Sequence, residues 1–167
     1  NQHVFNGRHS YFGKLLTKDL TKFINIPVFK NTGNAISMAT KNIGYGAVCN
    51  TNRLHAPLFL DVCVEVPAFP CVRDKMVLNI TDGLRAQYEG GPAFMPQWCW
   101  PCNSLLLATD PVALDFVGWQ IIENKRREKG LKPLSAVGRR PMYIATAADA
   151  EHRLGTDDPE RIAVLPV

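Results

Sequence analysis

Several things are missing from this sequence, and each absence removes a class of function. No apolar run approaches the roughly 20 residues of a membrane-spanning helix, so no membrane span is expected. The start shows no succession of charged, apolar and small residues of the signal-peptide kind. Instead NQHVFNGRHS is polar and opens on Asn1, which reads as a piece of something longer. There is no Walker or dinucleotide glycine signature, so a nucleotide is not supported. No internal repeat and no low-complexity tract divides the 167 residues, which suit one domain. Five cysteines are an odd number and too few for a disulfide scaffold. Basic residues exceed acidic ones only by 19 to 15, and their densest cluster, KRREK at Lys125 to Lys129, falls at the end of a predicted helix. Cations there complement the carbonyl end of the helix dipole. A nucleic-acid partner would need a wider basic face and is not expected.

What is present reads as an α/β protein. Four segments have strand character: Lys22 to Phe29, Lys75 to Thr81, Asn103 to Thr109 and Arg161 to Val167. The middle two are nearly continuous apolar runs, as in strands covered on both faces. Pro27 puts the first strand at an edge or on a bulge. Helices are predicted over Ala35 to Ile43, within Leu58 to Val66 before Pro67 and Pro70, over Pro111 to Lys129, and over Tyr143 to Leu154. The third has the fullest set of signals: Asp110 as N-cap, Pro111 at the first helical position, an apolar stripe of Leu114, Val117 and Ile121, and Gly130 beyond its end. Strands alternating with helices predict a mainly parallel sheet of about four strands. Such sheets bind ligands beyond the carboxyl ends of their strands. Lys30, Asp82 and Asp110 follow three of these strands, so a parallel arrangement gathers them on one rim.

The stretch CWPC places Cys99 and Cys102 at a spacing that suits a disulfide, thiol exchange, or two ligands to zinc or an iron–sulfur cluster. The string WCWPC is superficially similar to the thioredoxin active site. In that family, however, the pair opens a helix, whereas here it leads into a strand. Cys49, Cys63 and Cys71 lie in or beside apolar segments and read as small hydrophobes. Asp115 sits one turn into the long helix with Val112 and Trp119 beside it. A carboxylate flanked that way is costly to bury alone, so a cation such as Arg53 or Lys30, or a ligand, is expected to meet it. Between Lys30 and His55 the chain concentrates Lys41, Asn42, Arg53 and His55 around glycines. Those residues would suit an anionic ligand, or would simply be a helix end followed by a surface loop.

The segments INIPVFK, ATKNIGYGAVCNTNRLH, VLNITDGLRAQYEGGPA and LLLATDPVALDFVGWQIIENKRREKG, in that order, resemble the C-terminal half of the family known as domain of unknown function 362. The resemblance implies export by the twin-arginine route and association with iron–sulfur modules. A cofactor loaded before export would be a metal ion or an iron–sulfur cluster. The resemblance also implies an N-terminal half that completes the sheet, in the same gene product or another chain. Without that partner an apolar edge or face is expected to lie bare. Two departures bear on any site: the family commonly has a histidine where this chain has Thr32, and often another where it has the Cys99 to Cys102 segment.

Two functional expectations follow. One is a metal- or redox-linked module with Asp82, Asp110 and Asp115 as catalytic residues, Lys30, Lys41, Asn42, Arg53 and His55 holding a substrate, and Cys99 and Cys102 as metal ligands. The other is a non-catalytic binding or assembly module, possible in oligomers, whose contact is the loop from Glu89 to Cys102 with Phe94, Trp98 and Trp100.

Overall fold

The computed structural model describes residues 9–55 and 57–166. The α/β class holds, and the sheet is mixed. Its strands are β1 (Phe23–Asn25), β2 (Val28–Asn31), β3 (Ile36–Ser37), β4 (Met76–Gln87), β5 (Cys99–Trp100) and β6 (Ser104–Ala108). The twelve-residue β4 is the axis of the sheet. Along one edge it pairs in parallel with β1 and then with β2, which Ile26 and Pro27 separate. A proline has no N–H for the ladder, so the predicted single strand is divided at Pro27. Along its other edge β4 pairs antiparallel with β6 and β5. The hairpin partner β3 closes on β2.

The direction of β6 corrects the expectation of a common rim. Ala108 stands opposite Asn79, near the start of β4, whereas Lys30 stands opposite Gln87 at its end. Those two levels are on the order of 20–25 Å apart along the strand. A second correction concerns Arg161 to Val167. Pro159–Arg161 forms a short 3-10 turn and residues 162–166 form no strand. They line a groove of about 400 Å³ beside β6 instead. Val167 lies outside the described residues.

The helices are α1 (Ala39–Gly46), α2 (Phe59–Ala68), α3 (Pro70–Arg73), α4 (Pro111–Glu128) and α5 (Tyr143–Ala148). The first begins four residues later than the sequence suggests. Thr32 Oγ1 accepts from the backbone N–H groups of Asn34 and Ala35, and this tight turn feeds β3 rather than a helix. Helix α2 runs past Pro67 and stops at Phe69, which Pro70 forces into an extended conformation. The helix predicted to Leu154 ends at Ala148.

Helix α4 keeps its predicted bounds within one residue, with Asp110 Oδ1 accepting from Val112 N and Ala113 N at 2.8 Å. Its buried stripe is shifted round the helix from the apolar one predicted. Val112, Asp115, Gly118, Ile122 and Arg126 face inward together with Leu114 of the predicted stripe, while Val117 and Ile121 are only partly covered. Gly118 lets the helix approach the sheet closely, because a Cβ there would overlap Met38. The main core lies between α1, α2, α4, α5 and one face of the sheet, around Phe29, Met38, Val64, Ile122 and Tyr143. Among the described residues no helix is long and apolar enough to cross a membrane.

Candidate functional site

The residues singled out in the sequence fall into separate places. Asp115 is fully buried and meets neither Arg53 nor Lys30. Its Oδ1 accepts from Ala39 N at 2.7 Å, and its Oδ2 accepts from Thr40 N at 3.1 Å and Thr40 Oγ1 at 2.5 Å. These N–H groups open α1, which has no local side-chain cap. The first turn of a helix leaves its N–H groups without intrahelical partners. Asp115 supplies the acceptor from 76 residues away. Burial pushes its carboxyl up to about 7, against the lowering effect of the hydrogen bonds from Thr40 and Ala39. Close to it, burial also pushes up the Cys63 thiol and the Tyr143 phenol. The Tyr143 hydroxyl lies toward Thr40 but finds no hydrogen-bond partner within reach among the described residues.

Asp110, at the start of α4, is a structural clamp. Besides capping α4, its Oδ2 accepts from Thr156 N at 2.9 Å and so holds the chain after Leu154. Gly155 is needed there, because a Cβ would collide with the Asp110 carboxylate. Asp82 points to the face of the sheet away from the helices, and its Oδ1 accepts from Leu84 N at 3.0 Å. The three acidic residues expected to act together therefore do not share a site.

The basic and polar candidates divide too. Lys30 donates to Pro92 O at 3.0 Å, tying the Gly91–Met95 loop to the end of β2. Lys41 is half-buried, its ammonium 4.4 Å from the centre of the Tyr45 ring. Burial lowers its pKa, Cys63 opposes that effect, and Lys30 adds to it. Tyr45 lies tilted against His55 with ring centres 4.7 Å apart, and His55 edges an open cleft of about 440 Å³ with Asn34, Phe59 and Arg140. Lys30, Lys41 and His55 thus share one side of the molecule. Asn42 turns away to donate to Asn25 Oδ1, and Arg53 donates to Ser10 Oγ.

Cys99 and Cys102 are free thiols, as are the other three cysteines. The Cys99 thiol donates to Met95 O, while Cys102 packs against the main core. Two thiols alone do not complete the ligand set of zinc, which takes four protein ligands or three and a water, or that of an iron–sulfur cluster, which takes four. Among the described residues no group of three or more His, Cys, Asp or Glu side chains comes together for a metal. Among the described residues, the side chains around this pair thus do not fit a metal.

Several structurally important residues gave no sequence signal. Arg126 is 2% exposed and binds Tyr88 O, Lys132 O and Glu89, which Arg139 also grips. Burial works to raise the Glu89 carboxyl, but hydrogen bonds from Arg139 and Arg126 hold it down at about 2. Asn25 and Asn79 form a buried ladder at 2.8 Å, extended by Asn25 Nδ2 to Ala39 O. These polar groups lie on the helix side of the sheet. The other side is aliphatic: Ile24, Ile26, Val28, Leu84, Leu105 and Leu107 are each 50–64% exposed. Leu78 and Ile80, in register with Ile24 and Leu107, complete that stripe. Asp82 and Arg85 are the charged side chains in its middle, and neither has an ion-pair partner among the described residues.

The model of the family described as Domain of unknown function (DUF362) matches residues 8–120. The chain belongs to this DUF362 family. The match runs from before β1 into the middle of α4, taking in the whole sheet and the Asp110 and Asp115 clamps, while residues 121–167 lie beyond it. No curated protein and no solved structure matches the chain.

Proposed function

We propose that this DUF362 chain is an assembly module. Its helix-free sheet face seats another protein surface, apolar over most of its area and carrying a cation opposite Asp82. The single observation that supports this is the arrangement of that face: six aliphatic side chains at least half exposed, contiguous across β1, β2, β4 and β6. Scattered apolar residues are normal on a monomer, whereas a contiguous set marks an interaction surface.

The reading takes up the binding alternative but moves its centre from the aromatic loop to the sheet. Trp98 and Trp100 pack on Tyr88, and Trp100 also on Phe29, leaving Phe94, 67% exposed, as the outward aromatic. A metal- or redox-linked role would rest on Cys99 and Cys102, and among the described residues no third His, Cys, Asp or Glu joins them.

A dye whose fluorescence rises on apolar surfaces tests the proposal. Dilute, folded chain is expected to bind it, and the double variant Leu105→Lys/Leu107→Lys to lose most of that signal while keeping its circular dichroism. A folded wild-type chain that leaves the dye dark at every dilution overturns the reading.

A further inference from the structure

We infer that the surface seated on this face is the same face of a second copy of the chain, related by a two-fold axis that sets Asp82 of each copy against Arg85 of the other. The inference rests on the assembly reading and names its partner.

Charge is what selects a second copy. The middle of the face carries one anion and one cation on β4. Asp82 stands level with the exposed Val28 and Leu105, and the register break that follows leaves Leu84 and Arg85 both exposed, with Arg85 beside Val28. Neither charge has an ion-pair partner among the described residues. Lys30, at the end of the face, already donates to Pro92 O. A helical or lipid surface would have to bring its own cation to Asp82 and its own anion to Arg85, correctly spaced. A second copy brings both. In an isologous contact, residue i of one copy meets residue j of the other, and j meets i. With the axis lying between the two sheets, perpendicular to the strands and level with Gly83 and Leu84, the two β4 strands run antiparallel across the interface. Both Asp82–Arg85 pairs then form at once.

The rest of the face suits the same packing. Two sheets stacked face to face lie about 10 Å apart and interdigitate apolar side chains. Ile24, Ile26, Ile80, Leu105 and Leu107 occupy the half of the face toward the start of β4. The antiparallel arrangement lays that half over the partner's opposite half. There Leu84 and Arg85 are exposed, and Phe94 stands beside Arg85 at the edge of a small hollow that Val28, level with Asp82, also borders. The exposed aromatic and the aliphatic stripe thus cover one another reciprocally, which leaves the charged pairs at the centre with less water around them than at a rim. Pairs in that position discriminate between partners more than they add affinity, which is the role asked of them here.

Light scattering across a dilution series tests this, with four proteins: wild type, Leu105→Lys/Leu107→Lys, Asp82→Arg, and Asp82→Arg/Arg85→Asp. The expected result is a wild-type mass of twice 18.6 kDa. The leucine variant should be monomeric, Asp82→Arg should dissociate at least tenfold more readily, and the charge-exchanged double variant should recover most of that loss. Circular dichroism confirms that each is folded, and the exposed positions make that the expected outcome. A dimer indifferent to both sets of changes, or a larger assembly, overturns the inference. A monomer that binds the apolar dye overturns the second copy while leaving the assembly reading in place. A monomer that leaves the dye dark overturns both.

Discussion

The two faces of β4 follow opposite rules. Toward the helices point Asn79 and Thr81, both fully covered, while Leu78 and Ile80 point away beside the exposed Leu105 and Leu107. Strand β1 repeats the inversion, with Asn25 buried and Ile24 half exposed. An ordinary two-layer protein puts its aliphatic residues inside, so burial alone does not explain this sheet. The helix face is organised by hydrogen bonds: Asn25 to Asn79, Asn25 to Ala39 O, Asn42 to Asn25, and Asp115 to the start of α1. Burying polar groups is costly unless they are paired. Most of these are, the Thr81 and Tyr143 hydroxyls being buried exceptions among the described residues, and pairing fixes geometry more tightly than apolar contact does. The helix face therefore specifies how the layers dock, and the bare face holds the area still to be covered.

If that contrast is right, the largest effect comes from removing the acceptor at the centre of the helix face. Asp115→Ala leaves Ala39 N, Thr40 N and Thr40 Oγ1 without their partner. Unsatisfied buried groups cost about 1–3 kcal/mol each, and the losses overlap, so about 3–5 kcal/mol is expected in denaturant unfolding. Asp115→Asn keeps one acceptor and is expected to lose about half as much. The same carboxyl gives a pH signature. Its folded pKa is raised from 3.8 to about 7, so between those values the folded state holds more protons than the unfolded one. Stability therefore falls as pH rises through that window, and Asp115→Asn should flatten this limb. Glu89 has the opposite sign. Its folded pKa is lowered from 4.5 to about 2, so its contribution is present above 4.5 and lost as pH falls toward 2.

A matched pair of neighbours compares the two faces directly. Leu106 packs against the main core and Leu107 is 57% exposed on the bare face. In dilute, monomeric chain Leu106→Ala should cost about 2–3 kcal/mol, within the range for a core truncation. Leu107→Ala should cost within about 0.5 kcal/mol, as surface changes do. Equal costs at the two positions would mean that the bare face is not bare in solution.

Much of the local structure was legible in the sequence, because it depends on signals a few residues apart. Asp110, Pro111 and Gly130 bounded α4 to within a residue, and the apolar runs located β4 and β6. The direction of β6 was not legible, since an apolar run reads the same in parallel and antiparallel pairs. That one ambiguity dissolved the shared rim of Lys30, Asp82 and Asp110. Nor could spacing reveal that Asp115 caps a helix 76 residues away, or that Arg126, in a cluster read as complementing the end of the helix dipole, would be buried against Glu89. The bare face was foreseen only in outline. Its members alternate with buried polar residues, a pattern that in a single strand looks like a solvated face turned the wrong way round.

A smaller effect is expected at the edge of the same architecture. Asp110→Ala removes the cap of α4 and the tie to Thr156 N. Loss of an N-cap costs about 1–2 kcal/mol. Because the second tie holds the C-terminal segment, amide exchange after Leu154 should quicken more than exchange in β4. Uniform quickening would instead make Asp110 part of the helix-face network.

The smallest effect belongs to the outer surface of the helical layer, where His152 bridges Asp149 at 2.9 Å and Glu65 of α2 at 3.3 Å. Desolvation works to lower the imidazole pKa, but the two carboxylates prevail and raise it above 6.5. A raised folded value gives stability that is fully present below the unfolded pKa and lost as pH rises through the folded one. Exposed ion pairs contribute at most about 0.2–1 kcal/mol and are screened by salt. His152→Gln should therefore lower stability by a few tenths of a kcal/mol at pH 6 and by less at pH 8, with the difference shrinking in high salt. A loss as large as that of Asp110→Ala, or one insensitive to salt, would place this surface bridge among the specifying contacts of the helix face. The contrast between a hydrogen-bonded inner face and a weakly tied exterior would then have to be redrawn.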